Sequence, residues 1–297
     1  MIEFKVPEIS DKKWVDEILS KTSQLGCEYT FGNMFCWYCA FKTLIGRYKD
    51  FFILKGVTEQ GVFYGFPVGT GDIYETIEVL RKDAKEQGNV LKFFNATPYM
   101  IDILNKKYKD EFKSFPKRER YDYIYNSSDL INLEGKKYHS KRNFINRFLR
   151  ENPDWVYEDI NKDNITECKD MHKKWKHLNG NTDKDTNGEE KCALKSAIDN
   201  YEELDLLGGL IRAKDEIVAF TIGEQLSDET FVIHFEKAFS NITGTYPMIN
   251  NQFAKINLSK YKYINREEDI GEEGLRKAKL SYYPEILLEK NIVIFNN

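Results

Sequence analysis

The chain has 297 residues, 41% of them hydrophobic and 31% charged, which is enough apolar material for a core and too much for a disordered chain. Its 44 Lys and Arg against 48 Asp and Glu leave a net charge of −4, so the surface as a whole is not built for nucleic acid. No run nears the roughly 18 apolar residues of a membrane span, the first residues lack a signal peptide's basic start and apolar stretch, and five cysteines fit reduced thiols better than a disulfide framework; a cytoplasmic protein is expected.

In chain order, Tyr48 to Leu54 and Val62 to Val68 read as strands, rich in aromatic and β-branched residues. Asp72 to Gln87 reads as a helix, with Ile73, Ile77, Leu80 and Ala84 at helical spacing and Gly88 to end it. A strand at Val90 to Phe94, a helix at Pro98 to Tyr108 and a strand at Tyr121 to Tyr125 follow. Gly135 to Arg150 and Ile165 to Leu178 are helix candidates, and the polar loop NGNTDKDTNGEE at 179–190 is the expected mobile segment.

Leu210 to Arg212, Ile217 to Ile222 and Thr230 to Phe235 then form a strand meander. After it come a helix at Tyr246 to Leu258, a strand at Tyr261 to Asn265, a helix at Glu272 to Tyr283 closed by Pro284, and a last strand at Ile292 to Phe295. The order of meander, helix, strand, helix and strand thus occurs in both halves. A doubled α+β unit accounts for this better than one doubly wound sheet, where strand and helix would alternate throughout. The expected units are 1–128 and 129–297, the second opening with a helical connection over 129–195.

Four stretches carry possible chemistry. The helix GKKYHSKRNFINRFLR, 135–150, holds Lys136, Lys137, Lys141, Arg142, Arg147 and Arg150 without an acid. It is either a solvated amphipathic helix or a polyanion contact for tRNA or a cofactor phosphate; the seven acids of 151–170 are a possible neutralising partner. HFEKA, His234 to Ala238, ends a central strand, where Glu236 and Lys237 face opposite sides. Glu236 suits an ammonium group or a proton from an attacking amine, or a plain strand-end ion pair.

The loop SNITGTYP opens a helix at Thr245 or Tyr246, and the free N–H groups near Thr243, Gly244 and Thr245 suit phosphate or carboxylate, or an ordinary Thr cap. INREEDIGEEGLRKAKLSYYP, 264–284, is the densest stretch. Arg276, Lys279 and Tyr283 share a helical face there, beside Arg266 and Asp269. It reads either as an ion-pair network or as a grip on a zwitterion. Cys36 and Cys39 have metal or redox spacing, yet no second pair or neighbouring His completes a zinc site, so a buried, metal-free pair is expected.

YTFGNMFCW (29–37), GKKYHSKRNFINRF (135–148), HFEKA (234–238) and NREEDIGEEGLRKAKLSYYP (265–284) resemble the family built on the C-terminal domain of bacterial phosphatidylglycerol lysyltransferase. The resemblance implies tandem GNAT-like (acyl-CoA N-acyltransferase-like) units, mixed sheets flanked by helices, and transfer of an acyl or aminoacyl group. No transmembrane portion like that of the membrane-bound relatives stands in this sequence, which leaves the acceptor open among a small molecule, a lipid and a peptide.

The expectation that follows is an acyl- or aminoacyltransferase using aminoacyl-tRNA or acyl-CoA as donor, with no tightly bound cofactor and no metal. Glu236 and Asp269 are the candidate catalytic groups. His234, Lys237, Tyr246, Arg266, Arg276 and Lys279 are candidate substrate ligands, and Thr243, Gly244 and Thr245 would hold donor phosphate or oxyanion. Glu236, Arg266, Asp269, Arg276 and Lys279 are expected to converge on one cleft. The other reading is a non-catalytic GNAT-like module that binds an amino acid or a nucleotide-type ligand.

Overall fold

The computed structural model describes residues 2–59, 61–179 and 188–296. The expected mobile loop therefore falls, for 180–187, outside the described residues. The first half runs β1 (Phe4–Lys5), α1 (Lys12–Leu19), α2 (Phe31–Phe41), β2 (Leu44–Tyr48), β3 (Phe51–Thr58), β4 (Gly61–Gly65), β5 (Val68–Gly69), α3 (Ile73–Glu86), β6 (Lys92–Ala96), α4 (Pro98–Tyr108), β7 (Phe112–Pro116) and β8 (Asp122–Asn126). A helical stretch follows: α5 (Ser127–Asn132), α6 (His139–Glu151), β9 (Val156–Asp159), α7 (Ile165–Asn179) and α8 (Glu189–Asp199). The second half is β10 (Leu207–Ala213), β11 (Glu216–Gln225), β12 (Thr230–Ala238), α9 (Thr245–Asn257), β13 (Tyr263–Asn265), α10 (Glu273–Leu280), β14 (Ile286–Leu288) and β15 (Asn291–Phe295).

Local chemistry sets several of these boundaries. The Asp72 carboxylate accepts from the N–H groups of Tyr74 and Glu75 and starts α3. Thr97 caps α4, with Pro98 in its first turn. β11 and β12 are nearly continuous in buried residues, so both faces of these central strands are covered.

Two mixed sheets flanked by helices result, ordered β1-β2-β3-β4-β6-β15-β7, with β5 beside β3, and β14-β8-β13-β12-β11-β10-β9. In each, an antiparallel meander is followed by a helix and then by a strand parallel to the meander's last: β6 lies parallel to β4, and β13 parallel to β12. This is the doubled acyltransferase-like α+β architecture expected. One apolar core cluster draws on both halves, from Ile2 and Val15 to Met248 and Phe295.

The cut at 128 does not separate the sheets. β8, from the first unit, lies between β13 and β14 of the second sheet. β15, from the second unit, lies between β6 and β7 of the first. Both pairings are antiparallel, so the exchange is reciprocal. At the entry to β8, Asp122 is fully buried, and just before β15 so is Lys290. Lys290 donates to both Asp122 and Glu28 at 2.7 Å.

The cysteine expectation needs correction. Cys36 is buried, but Cys39 is disulfide-bonded to Cys192, joining α2 to α8. Residue spacing held no sign of this, because the partner lies 153 residues away. Among the described residues no helix is long and apolar enough to cross a membrane.

Candidate active site at the divergence of β12 and β13

β12 and β13 pair only through Thr230–Tyr263, Phe231–Ile264 and Val232–Asn265. Beyond Asn265 the chain turns away from β12, which runs on to Ala238. The divergence receives side chains from both strands' continuations, from α9 and from the turn after α10. A group placed there meets low solvent access, and each charge is correspondingly strong.

Glu236 occupies it. Its carboxylate accepts from Arg266 Nη2 at 2.7 Å and from Asn250 Nδ2 of α9 at 3.5 Å. The Arg266 guanidinium lies 5.0 Å from the centroid of Tyr282 and 5.8 Å from that of Tyr125. Two buried atoms of this cluster have no hydrogen-bond partner: Arg266 Nη1, a donor, and Asn250 Oδ1, an acceptor. Buried polar groups are ordinarily satisfied, so a donor and an acceptor left open on either side of one carboxylate form a site with complementary needs.

His234 is spent elsewhere. Its Nε2 lies 2.8 Å from Glu224 and its Nδ1 2.7 Å from Glu267. Burial pulls the imidazole down, but its two acidic partners outweigh that and push it up to about 10. Burial likewise raises Glu267. Glu224 also accepts from the N–H groups of Gly32 and Asn33 at the start of α2. The ring thus ties the second sheet to the first half.

Asp269 is completely buried among donors: Arg118, Arg276, the Tyr123 hydroxyl at 2.6 Å and the N–H of Gly271. Burial raises its carboxyl, but Arg276, Tyr123 and the Gly271 amide prevail and hold it well below the usual carboxylate range. Such a group stays ionised and orients cations; it makes a poor proton acceptor.

Lys279 is the buried residue of α10, donating to the carbonyls of Arg266 and Glu268. The five charges expected in one cleft are therefore distributed as a Glu236–Arg266 pair and an Asp269–Arg276 pair, with Lys279 fixing the backbone between them. Lys237 points to the other side of β12, onto Glu190 at 2.7 Å and over the Trp175 ring. Tyr246 is partly buried against the main core.

The Thr245 hydroxyl is used within its own loop, donating to the carbonyls of Phe239 and Ile242. Gly244 has φ +87°, and a Cβ there would meet the Phe144 carbonyl oxygen at 2.2 Å. This glycine lets α6 approach the start of α9. Thr243, beside it, is half-buried.

Of the basic helix, Lys137 pairs with Asp129, Arg147 with Glu151, and Arg142 donates to the carbonyls of Leu133 and Gly135 at the end of α5. Lys136 and Arg150 are exposed. Lys141 turns inward, to Ser281 and the face of Tyr282.

Residue patterns missed Asn250, Tyr282, Glu224, Tyr123 and Arg118. Asn250 falls on the buried face of α9, where a polar residue one turn after Tyr246 was the available signal. The rest join the network through tertiary packing alone.

The family model described as "Phosphatidylglycerol lysyltransferase, C-terminal" matches residues 20–294. The chain belongs to the phosphatidylglycerol lysyltransferase C-terminal family. Its architecture is matched over 100% of both chains by a conserved protein of unknown function from Bacteroides thetaiotaomicron, at 38% identity and a TM-score of 0.96. A chain described as the C-terminal domain of a lysylphosphatidylglycerol synthetase from Agrobacterium fabrum has a TM-score of 0.70 at 12% identity, over 97% of this chain and 92% of that one. L-PGS from Bacillus licheniformis has 0.67 at 14%, over 99% and 94%. At such identities the last two show a shared fold. An uncharacterized protein of Mycoplasmoides gallisepticum is 21% identical over 175 residues, so this family member spans 55% of that curated relative's length.

Proposed function

We propose that the protein moves an acyl or aminoacyl group from an activated donor, aminoacyl-tRNA or acyl-CoA, to an amine or hydroxyl acceptor. Family membership supports the reaction class. The observation that carries the site is the largely buried Glu236 carboxylate flanked by the buried, unpartnered Arg266 Nη1 and Asn250 Oδ1. Together they fit a polar group that both donates and accepts, such as an α-amino ester or the acceptor amine beside a reacting carbonyl.

In this reading the acceptor attacks the donor carbonyl directly. Glu236 orients the nucleophile and receives its proton; collapse of the tetrahedral state then breaks the donor's ester C–O or thioester C–S bond, and the proton passes on to the departing tRNA 3′-hydroxyl or CoA thiol. Arg266 Nη1 donates to the oxygen that gains charge in the tetrahedral state, a role for which it is already positioned by its pair with Glu236. Asp269 holds Arg118 and Arg276, exposed enough to meet the donor's phosphate or carboxylate. The outer basic residues Lys136, Lys137, Arg147 and Arg150 provide the surface along which a tRNA would lie.

Radiolabelled lysyl-tRNA, alanyl-tRNA and acetyl-CoA, incubated with the protein and a panel of amine and hydroxyl acceptors, test this. Protein-dependent label transfer is expected from one donor class, falling at least about a hundredfold in Glu236→Gln, the usual scale for a positioned acid–base group. Tight donor binding with no transfer to any acceptor would instead favour the non-catalytic module, a reading consistent with the pairing of each carboxylate in the cluster.

A further inference from the structure

The outward run of α6 disguises one residue that behaves differently from its neighbours. Lys141 Nζ lies 3.9 Å from the centroid of Tyr282 and donates to Ser281 Oγ at 2.6 Å. Among the described residues no carboxylate lies within ion-pair distance of it. The charge it does meet is another cation: Arg266, stacked near the same Tyr282 ring at 5.0 Å, with Nη1 unpartnered.

Two cations gathered at one aromatic ring, of which only Arg266 has a carboxylate, Glu236 on its Nη2, leave positive charge uncompensated. Placing like charges together in partial burial is costly. The arrangement is therefore complementary to an anion. Burial and the charge of Arg266 together pull Lys141 down to about 8, as a site without its counter-charge should.

We propose that Lys141 and Arg266 form a phosphate-binding subsite against the Tyr282 ring. It rests on the transferase reading in one respect: the phosphate is taken to belong to the donor. Two donors present this chemistry, the pyrophosphate of CoA and the terminal phosphodiesters of a tRNA acceptor end. Ser281, on the same turn, accepts from Lys141 while donating to the Ala278 carbonyl and so holds the ammonium in place, while Tyr282 sets the depth to which the phosphate enters.

Calorimetric titration of the full chain with inorganic phosphate, CoA and a 5′-phosphorylated CCA trinucleotide tests the subsite. Wild type should bind inorganic phosphate weakly and one of the larger probes more tightly, the stronger of the two identifying the source. Lys141→Met should weaken that probe at least tenfold, with its circular dichroism melt retained, and Lys141→Arg should restore most of the affinity. In reductively 13C-methylated protein, the Lys141 resonance should titrate near 8 and move upward when the probe is added. Absence of binding by all three probes, or equal binding by Lys141→Met, overturns the proposal. The label-transfer assay remains independent: wild type that binds phosphate through Lys141 yet transfers nothing refutes the transferase reading and leaves the subsite standing, whereas transfer with a Lys141-independent phosphate affinity does the reverse.

Discussion

Lys290 and Asp122 meet at 2.7 Å, both wholly buried, at the two places where the chain passes from one sheet to the other. Glu28 completes the contact from the turn before α2, also at 2.7 Å. Burial opposes the Lys290 ammonium, but Asp122, Cys27 and Glu28 raise it well above its ordinary value. Removing one partner of such a pair leaves the other charge uncompensated, at a cost of about 3–5 kcal/mol.

Lys290→Met should therefore lose about 3–5 kcal/mol in urea denaturation. The double variant with Asp122→Asn should lose clearly less than the two single variants together. Additive losses would mean that the pair is not the unit that holds the crossovers.

The Glu224–His234–Glu267 clamp predicts an alkaline limit. The imidazole is raised from 6.5 to about 10. Its contribution is thus fully present below pH 6.5 and disappears as pH climbs through 10. Urea midpoints measured from pH 6 to pH 10.5 should fall in wild type, and the fall should be shallower in His234→Gln. That variant should also lose about 3 kcal/mol at pH 7 by stranding two acids.

Asp269 predicts the opposite limb. Its folded carboxyl is depressed, so its stabilisation is present above the unfolded value of roughly 4 and is lost as pH falls below it toward the folded value. Asp269→Asn should melt lower than wild type at pH 7, and the difference should narrow in acid. A gap that widens on acidification would contradict the assignment.

Gly244→Ala combines a positive φ with a Cβ 2.2 Å from the Phe144 carbonyl. The backbone term alone is worth about 1–2 kcal/mol, and the clash adds to it by forcing α6 away from α9. A melt within a degree of wild type would show that the two helices separate freely.

The sequence was informative wherever signals were local. The apolar spacing of Ile73, Ile77, Leu80 and Ala84 in α3, Gly88 at its end and Pro284 after α10 all lie within a few residues of what they specify, and the doubled order could be read from such signals. The exchange of β8 and β15 could not, because a strand's pattern states which face is buried and not which sheet receives it. The helix α2 went unrecognised because its run FGNMFCWYCAF is apolar nearly all round and lacks a polar face to set a period. At the site, the charge-dense stretches did mark Glu236, Arg266 and Asp269. Which acid pairs with which base depends on α9 and on the turn after α10, and Lys141 was grouped with exposed neighbours because its inward turn is decided by Ser281 and Tyr282.

The reciprocal strand exchange also orders events during synthesis. The first sheet has its meander, β6 and β7 by residue 116, but β15, which must sit between β6 and β7, is made only at 291–295. Until then an emerging chain carries a split sheet with two unpaired inner edges, the kind of surface that invites wrong partners. The second sheet waits in a different way: β8 is made first and stands without sheet partners until β13 joins it to β12 and β14 then covers its other edge. Vectorial synthesis therefore finishes the C-terminal sheet first and the N-terminal sheet last, and a ribosome stalled short of residue 291 should leave the N-terminal half protease-sensitive however long it is held.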